Sequence, residues 1–347
     1  MSSFHTIHDA AAYLCIVPPH HIIPDGKIHR YTDKKVKGLP HWYLDYGGAG
    51  CIGTWKDGHA KANYNPSSTA LTKKQQHELN AQIALTKAKQ EREQKERWAA
   101  GGRDAVATWN SLSTSGTSEY LTVKRVGAFG VRFGGESSHL RGAKHKSGFI
   151  AVPLRQSVGG SIHSLQLIYD DHATPDYMRG QGRNKTFIKD GRKAGCFHII
   201  GSKGLLNPRN VYICEGYATG ASIHMATGLP VFVAFDCGNL KPVLERLVTL
   251  YPTITFTLAA DNDCWKEGNA GKMKALEAAG DKHTVRLPRF RADSLLHQPT
   301  DFNDLHVLEG LDVVRHAINK CRKRAVPCGK HYYRFLRIDR NYALLFS

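Results

Sequence analysis

Several features that define whole classes of protein are missing from this sequence. It has no run of about 18 or more apolar residues, so no transmembrane helix is expected. Its first residues lack the basic start and apolar stretch of a secretory signal, which favours a cytoplasmic protein without a membrane partner. The 8 cysteines include no CxxC pair, so the close Cys pairs of a zinc ribbon are absent and no zinc is expected.

Acidic residues are also few relative to basic ones. The chain has 48 Lys and Arg against 30 Asp and Glu, a formal net charge of +18. The excess lies mainly in residues 120–210, whereas residues 211–308 are nearly balanced and slightly acidic. A basic surface attracts polyanions through phosphate neutralisation and counterion release. The sequence therefore favours a nucleic-acid partner, held next to a module whose carboxylates could bind cations.

The pattern of apolar residues predicts an α/β protein of five segments. Apolar β-type runs alternate with helical stretches from residue 210, the order typical of a parallel sheet. Short alternating runs before it predict a mixed, β-rich domain, and residues 68–98 predict a long charged helix that the Gly101–Gly102 pair ends. The predicted segments are a small β-rich N-terminal module at 1–66, a charged helix or linker at 67–102, a basic mixed α/β domain at 103–209, a parallel-sheet domain at 210–308, and a helix with a basic tail at 309–347.

Acidic side chains follow three successive strands of the predicted parallel sheet. Glu215 follows the first strand, Asp236 the second, and Asp261 and Asp263 the third. Ligands of an open parallel sheet bind beyond the carboxyl ends of its strands. Two carboxylates at i and i+2 on an extended backbone face the same side and can share a divalent cation. The pattern favours a metal site, although Asp261 and Asp263 alone could equally cap a loop and a helix.

Further polar residues surround these carboxylates. Gly216 lets a phosphate or metal approach the backbone closely, although a helix N-cap is an alternative for this turn. Two further carboxylates, Asp301 and Asp304, follow the fourth strand and could add a metal ligand or support one, although Asp304 could equally cap the following helix. We assign nucleotide or template contacts to Gly216, Asn262, Asn269 and Lys272.

Two glycine-rich stretches match nucleotide-binding motifs only in part. Residues 48–53 fit GxGxxG but precede a turn, where a dinucleotide site needs a helix N-terminus. Residues 268–273 lack the first glycine and the final hydroxyl residue of a P-loop. Neither a dinucleotide site nor a helicase motor is predicted, so any unwinding would come from another protein.

The ordered set of motifs resembles the Toprim domain of primases carried by plasmids and phages. The resemblance is carried by VYICEGYATGASIH at 211–224, AFDCGNL at 234–240, LAADND at 258–263 and DFND at 301–304. It implies a Toprim-like parallel sheet that forms a primase catalytic core with the basic domain before it. It also implies that Glu215, Asp261 and Asp263 are catalytic and hold Mg²⁺, with Mn²⁺ as an alternative, and that Asp236 and Asp304 are further metal positions.

The basic segment upstream of residue 210 extends this resemblance. Lys185, Lys189, Arg192 and Lys193 are similar to the segment that precedes the Toprim domain in these primases and contacts nucleotide or template. Non-specific attraction of phosphates is an equal alternative for these side chains. Residues 27–30 and 42–43 also resemble the opening of plasmid-type primases.

The resemblance implies a DNA primase, a nucleotidyltransferase that makes short RNA primers from NTPs on single-stranded DNA by two-metal chemistry. It would serve replication or transfer of a plasmid, phage or related mobile element in a bacterial or phage-infected cell. Expected partners are template DNA, NTPs and a replicative helicase or other replication protein. A Toprim nuclease is one alternative, because the same carboxylates can direct water at a phosphodiester. A non-catalytic single-stranded DNA-binding replication factor is the other, since a fold does not guarantee activity.

Overall fold

In a computed structural model of the protein, the described residues form three β-sheets, and one long helix connects the first sheet to the second. No helix within its described ranges is long and apolar enough to cross a membrane. The basic tail predicted near the C-terminus lies outside those ranges. They are residues 3–32, 38–55, 60–65, 72–135, 147–201, 211–265 and 268–319.

The N-terminal module is a five-stranded sheet with one helix on one face. The helix begins at a capping box made by Thr6 and Asp9, and its buried face packs on the apolar side chains of the strands. The predicted β-rich module is thus present, with the strand order β1-β5-β4-β3-β2. Its elements are β1 (Ser3–Phe4), α1 (Ile7–Tyr13), β2 (His29–Tyr31), β3 (His41–Asp45), β4 (Gly50–Thr54) and β5 (Lys61–Tyr64).

The long charged helix, α2, spans Lys73–Ser111, so the prediction that the Gly101–Gly102 pair ends it is wrong. Gly101 is buried where α2 crosses the turn at residues 190–191, and a Cβ there would lie 2.3 Å from the Asp190 carbonyl carbon. Packing against this turn and against the following sheet outweighs the cost of an interior glycine, about 1 kcal/mol. The predicted boundary between residues 102 and 103 therefore falls inside one helix.

The basic domain is a four-stranded antiparallel sheet in the order β6-β7-β8-β9. Helix α2 covers one face, where Ala105 and Leu112 join Leu165 and Leu167 in a buried cluster. This region has the mixed, β-rich character that was predicted. Its elements are α3 (Glu119–Val123), β6 (Arg132–Phe133), β7 (Phe149–Arg155), β8 (Ile162–Tyr169), α4 (Asp176–Arg179) and β9 (Lys185–Phe187).

The third sheet is the predicted parallel sheet, in the order β10-β12-β11-β13-β14. Strands β11 to β14 pair in parallel, and β10 adds to one edge in the antiparallel sense. Because β10 precedes residue 210, the sheet begins upstream of the predicted boundary. Its elements are β10 (His198–Ile200), β11 (Val211–Cys214), α5 (Tyr217–Thr227), β12 (Val231–Val233), α6 (Leu240–Leu250), β13 (Phe256–Ala259), α7 (Ala270–Ala279), β14 (Thr284–Arg286), α8 (Phe302–Glu309) and α9 (Leu311–Asn319).

The two faces of the parallel sheet are covered differently. Helices α6 and α7 close one face, with Val243 and Leu247 packed on Phe232 and Leu258. On the other face, α5, α8 and α9 share a continuous apolar core with the basic domain, because residues such as Tyr120 join it. The basic domain and the parallel sheet are therefore packed as one unit.

Candidate active site

The candidate site lies at the carboxyl ends of the central parallel strands. The register pairs Cys214 of β11 with Val233 of β12 and with Ala259 of β13. The residues that follow these positions meet at one edge of the sheet, as the doubly wound topology requires. Glu215 and Asp261 are thereby brought together from sequence positions far apart.

The surroundings of Gly271, in α7, show that Glu215 and Asp261 lie close together. A Cβ built on Gly271 would lie 3.0 Å from Glu215 Oε1 and 3.2 Å from Asp261 Cβ. Both acidic residues therefore border the same small volume beneath the first turn of α7. Gly271 is a site residue that the sequence analysis missed, because a glycine's steric role depends on neighbours that only the fold supplies.

The pKa values of the central carboxyl groups reflect burial and mutual repulsion. Burial raises the pKa of Glu215 to about 7, and the negative charges of Asp263, Asp236 and Asp301 add to the shift. Burial raises the pKa of Asp261 well above its ordinary range, with Glu215 and Asp301 contributing, while Lys185 opposes the change. The site therefore concentrates negative charge that a bound cation would relieve.

Asp301 was not assigned as a metal ligand from the sequence, although its motif was noted. It caps α8, where its Oδ1 accepts from the Asp304 backbone N–H at 2.8 Å, and its charge also acts on Glu215 and Asp261. Burial raises the pKa of Asp301 itself. The DFND motif contains this residue, yet its spacing alone does not tell which Asp faces the cluster.

Asp304, the residue of this motif that was predicted as a metal position, has partners for both oxygens. Its Oδ2 accepts from the Thr300 N–H at 2.8 Å, and its Oδ1 lies 3.7 Å from Lys124 Nζ. The helix-cap alternative is therefore present as a capping box with Asp301. Its metal role stays a prediction.

Both carboxylate oxygens of Asp236 also have partners, although its negative charge helps to raise the pKa of Glu215. Its Oδ1 accepts from the Asn239 N–H at 3.0 Å at the start of a short 3₁₀ helix. Its Oδ2 forms an ion pair with Lys193 Nζ. The preceding residue, Phe235, has a φ of 74°, a left-handed conformation that is costly for a non-glycine residue beside the site.

The donor set fits a hard cation at its centre. Glu215 Oε1 and Asp261 Oδ1 are buried oxygens without a hydrogen-bond partner, an expensive arrangement unless a ligand supplies one. Carboxylate oxygens are the ligands that Mg²⁺ prefers. Over the described ranges, no three His, Cys, Asp or Glu side chains lie close enough to enclose an ion as they stand. The five predicted metal positions are thus not assembled into one cage.

The predicted basic contacts separate into two places. Lys185 lies near the carboxylates, since Asp261 and Asp301 both act on its charge, and its Nζ lies 5.4 Å from the centre of the Tyr120 ring. Desolvation lowers the pKa of Lys185, although part of its side chain meets solvent. Lys193 is also at the site, because it forms an ion pair with Asp236. Lys189 is exposed.

Arg192 lies against the long helix instead. Its guanidinium stacks over the Trp98 ring at 4.5 Å. The Gln156 amide, oriented to accept, receives hydrogen bonds from Arg192 Nε at 3.0 Å and from Arg246 at 3.2 Å. Three basic side chains, those of Arg192, Arg246 and Arg155, lower the pKa of His163 in addition to its burial. This arginine cluster joins α2, the basic sheet and α6.

The other predicted nucleotide contacts form the loop beside α7. Asn269 Nδ2 donates to Asn262 Oδ1 at 2.8 Å, and the Asn262 N–H donates to the Thr300 carbonyl at 2.7 Å. Asn269 Oδ1 is buried and has no partner. Gly216 is the N-cap of α5 and offers no side-chain cap, and Lys272 is partly exposed in the first turn of α7. Their nucleotide contacts stay predictions.

Comparisons with known proteins agree with this geometry. Residues 210–312 match the family model described as Toprim domain. Over 286 residues the chain is 29% identical to DNA primase TraC of Escherichia coli, covering 76% of this chain and 24% of that protein. A second match to a DNA primase TraC of Escherichia coli is 37% identical over 111 residues, 30% of this chain and 8% of the relative. The chain thus spans about a quarter or less of the length of these curated relatives.

Two solved structures are also similar in part. The RNA polymerase domain of Mycobacterium tuberculosis primase DnaG is 14% identical, with a TM-score of 0.40, covering 65% of this chain and 82% of that one. The zinc-binding and RNA polymerase domains of Aquifex aeolicus primase are 11% identical, with a TM-score of 0.40, covering 90% of this chain and 82% of that one.

The parallel sheet, its acidic edge and the family match define residues 210–312 as a Toprim domain. The similarity to the TraC proteins confirms the predicted resemblance to Toprim-domain primases of the plasmid and phage type.

Proposed function

We propose that this protein is a DNA primase, which makes short RNA primers from NTPs on single-stranded DNA. The observation that carries the proposal is the pair of buried, unpartnered oxygens, Glu215 Oε1 and Asp261 Oδ1, at the acidic edge of a Toprim domain. The similarity to DNA primase TraC supports the same reading. The proposed setting is replication or transfer of a mobile element in the cytoplasm of a bacterial cell.

The carboxylates would hold Mg²⁺ and so provide the site for two-metal nucleotidyl transfer. Glu215, Asp261 and Asp263 are the proposed metal ligands, and Mg²⁺ there would activate the primer 3′-hydroxyl and neutralise the departing pyrophosphate. Because the pKa of Glu215 is raised to about 7, a proton competes with a cation for its carboxylate near neutral pH. Ionisation of Glu215 and cation binding are therefore linked.

Two lysines beside the carboxylates would bind and orient the triphosphate. Lys185 presents its charge next to Asp261, and Lys193 presents its charge next to Asp236. A triphosphate brought to the acidic edge needs positive partners at its far end, and both lysines come from the basic domain. No protein nucleophile is required, because positioning and charge neutralisation carry phosphoryl transfer.

Primer synthesis on a defined template tests the proposal. The chain is incubated with single-stranded DNA, labelled NTPs and Mg²⁺ or Mn²⁺, beside the Asp261→Asn/Asp263→Asn variant. We expect template-dependent oligoribonucleotides from the wild type and at least a hundredfold less from the variant, in line with loss of transition-state charge stabilisation. Asp281→Asn/Asp293→Asn is the matched control, because both residues are exposed in the same domain.

The products of the same reaction separate the alternatives. Template fragments that disappear in the Asp261→Asn/Asp263→Asn variant would assign a Toprim nuclease instead. Retained DNA binding with neither primers nor fragments, on several templates and with both metals, would assign a non-catalytic replication factor. Partner helicases are sought afterwards by measuring primer synthesis on duplex DNA with and without the added motor.

A further inference from the structure

The N-terminal module carries a surface with no role in the proposed chemistry. The register of its sheet places four residues side by side on successive strands: Arg30 on β2, Trp42 on β3, Gly53 on β4 and Lys61 on β5. Helix α1 packs on the neighbouring positions Tyr43, Ile52 and Ala62. Because strand side chains alternate between faces, this row lies on the face that α1 does not cover.

An aromatic platform occupies the middle of the row. A Cβ on Gly53 would lie 2.6 Å from the Trp42 ring, so the indole packs directly against the glycine. Trp55 lies beside it, with the ring centres 5.6 Å apart, and the Arg30 guanidinium stacks over Trp55 at 4.5 Å. Trp55 is 37% exposed, so part of its indole is open to solvent.

The platform is positively charged. Arg30 and Lys61 are exposed at its two sides. The described carboxylates of this module are engaged elsewhere, Asp9 with Thr6 in α1, Asp25 with His29, and Asp45 with Tyr64. An aromatic surface between cations fits a chain of bases joined by phosphates, because every base offers a ring to stack and every linkage a negative charge.

We propose that Arg30, Trp42, Trp55 and Lys61 form a binding platform for single-stranded DNA. Bases stack on the two indoles while Arg30 and Lys61 contact the phosphates on either side. The inference rests on the proposed function in that it names a place where the template strand is bound. It is measured as binding alone, without NTPs and in EDTA, so the two can fail separately.

The affinity of the full chain for a dye-labelled oligodeoxythymidine tests the platform. We expect the Trp55→Ala/Lys61→Ala variant to bind roughly tenfold more weakly, because one stacked base and one phosphate contact are lost. Tyr13→Ala/Lys74→Ala also removes one aromatic residue and one lysine, from exposed positions outside the platform, and should bind like the wild type. Equal affinities of the two variants would overturn the proposal.

Two further measurements test whether the platform residues contact the DNA directly, independently of any effect of a substitution on folding. The charge-only variant Arg30→Gln/Lys61→Gln should flatten the dependence of log affinity on log salt by about 0.7 for each lost phosphate contact. Ultraviolet crosslinking to a bromodeoxyuridine oligonucleotide should place adducts at Trp42 or Trp55, located by mass spectrometry. Adducts only elsewhere, with an unchanged salt slope, would overturn the platform even if primer synthesis is found. A preference for an equal-length RNA would overturn the assignment to DNA.

Discussion

A Cβ on Gly271 would occupy the space shared by Glu215 and Asp261 in the candidate site. It would lie 3.0 Å from Glu215 Oε1 and 3.0 Å from the Asp261 carbonyl oxygen, tighter than ordinary van der Waals contact. At this scale the site is shaped by an absent side chain as much as by the acids themselves. Asp301 shows the same dependence on context, since a helix-capping residue also contributes charge to the site.

Gly271→Ala should separate activity from stability. The new methyl group pushes on Glu215 and Asp261, so we expect primer synthesis to fall by at least about tenfold, as for small displacements of catalytic groups. The thermal midpoint should change little, because the preference of the helix for alanine over glycine, about 1 kcal/mol, offsets the cost of the close contact. Activity assays and thermal unfolding of one preparation check this. Wild-type activity would show that the two carboxylates do not need this space.

The raised pKa of Glu215 predicts how stability depends on pH without divalent cations. Burial and negative neighbours move this pKa from its ordinary value of 4.5 to about 7 in the folded chain. The folded chain then binds the proton more tightly than the unfolded chain between these values, so stability falls as the pH rises through this window and the Glu215 contribution levels off above it.

Thermal midpoints measured across this window in EDTA check the prediction. Glu215→Gln should flatten the curve, because the neutral amide does not titrate. Added Mg²⁺ should raise the wild-type midpoint more at the alkaline end, since a cation binds the ionised form of the carboxylates. An unchanged slope in Glu215→Gln would show that other groups carry the pH dependence.

At the scale of elements, α2 is the helix whose end depends on packing. Its first half is mostly exposed, whereas Gly101, Ala105 and Thr108 are buried against the basic domain. Local propensity favours an end at the glycine pair, yet the helix continues to Ser111. The contact between Gly101 and the turn at residues 190–191 explains the difference, because only a residue without a side chain allows the two backbones to approach.

The two neighbouring glycines provide a matched pair. Gly101→Ala forces a methyl group into backbone at 2.3 Å, and we expect the free energy of unfolding to fall by about 1–3 kcal/mol or more. At Gly102 the nearest atom to a Cβ would be 3.7 Å away, so Gly102→Ala should be neutral or stabilise the helix by up to about 1 kcal/mol. Urea unfolding of both variants measures this difference. Equal changes in the free energy of unfolding would contradict the packing argument.

At the scale of the whole molecule, the sheet of the Toprim domain begins upstream of its sequence motifs. Strand β10 belongs to the basic segment in sequence but completes the parallel sheet in space. Asn239 connects the same regions. Its Nδ2 donates a hydrogen bond to the Cys196 carbonyl at 3.0 Å, and its Oδ1 accepts one from the Gly195 N–H at 2.9 Å. A shared hydrophobic core extends from Tyr120 to Ile318.

Cooperative unfolding of these regions is therefore expected. A fragment of residues 210–319 should be poorly folded, because it lacks β10 and exposes the core face that the basic domain covers. A fragment of residues 72–319, which keeps the whole of α2, should fold and melt in one transition. Circular dichroism and limited proteolysis of the two fragments check this. A stable, cooperative 210–319 fragment would show that the Toprim domain is independent of the basic domain.

The sequence by itself determined the parallel sheet, the acidic residues at its edge and the concentration of basic charge before it. These features are local, since period, turn residues and strand-end positions are visible along the chain. Only the tertiary structure decided which acids meet, that the charge of Asp301 acts on Glu215 while Asp304 completes a capping box, and that α2 passes through two glycines. The tertiary structure also decided the row formed by Arg30, Trp42, Gly53 and Lys61 in the N-terminal module, because this row depends on the register between its strands. Contacts of this kind are set by packing, which no local pattern encodes.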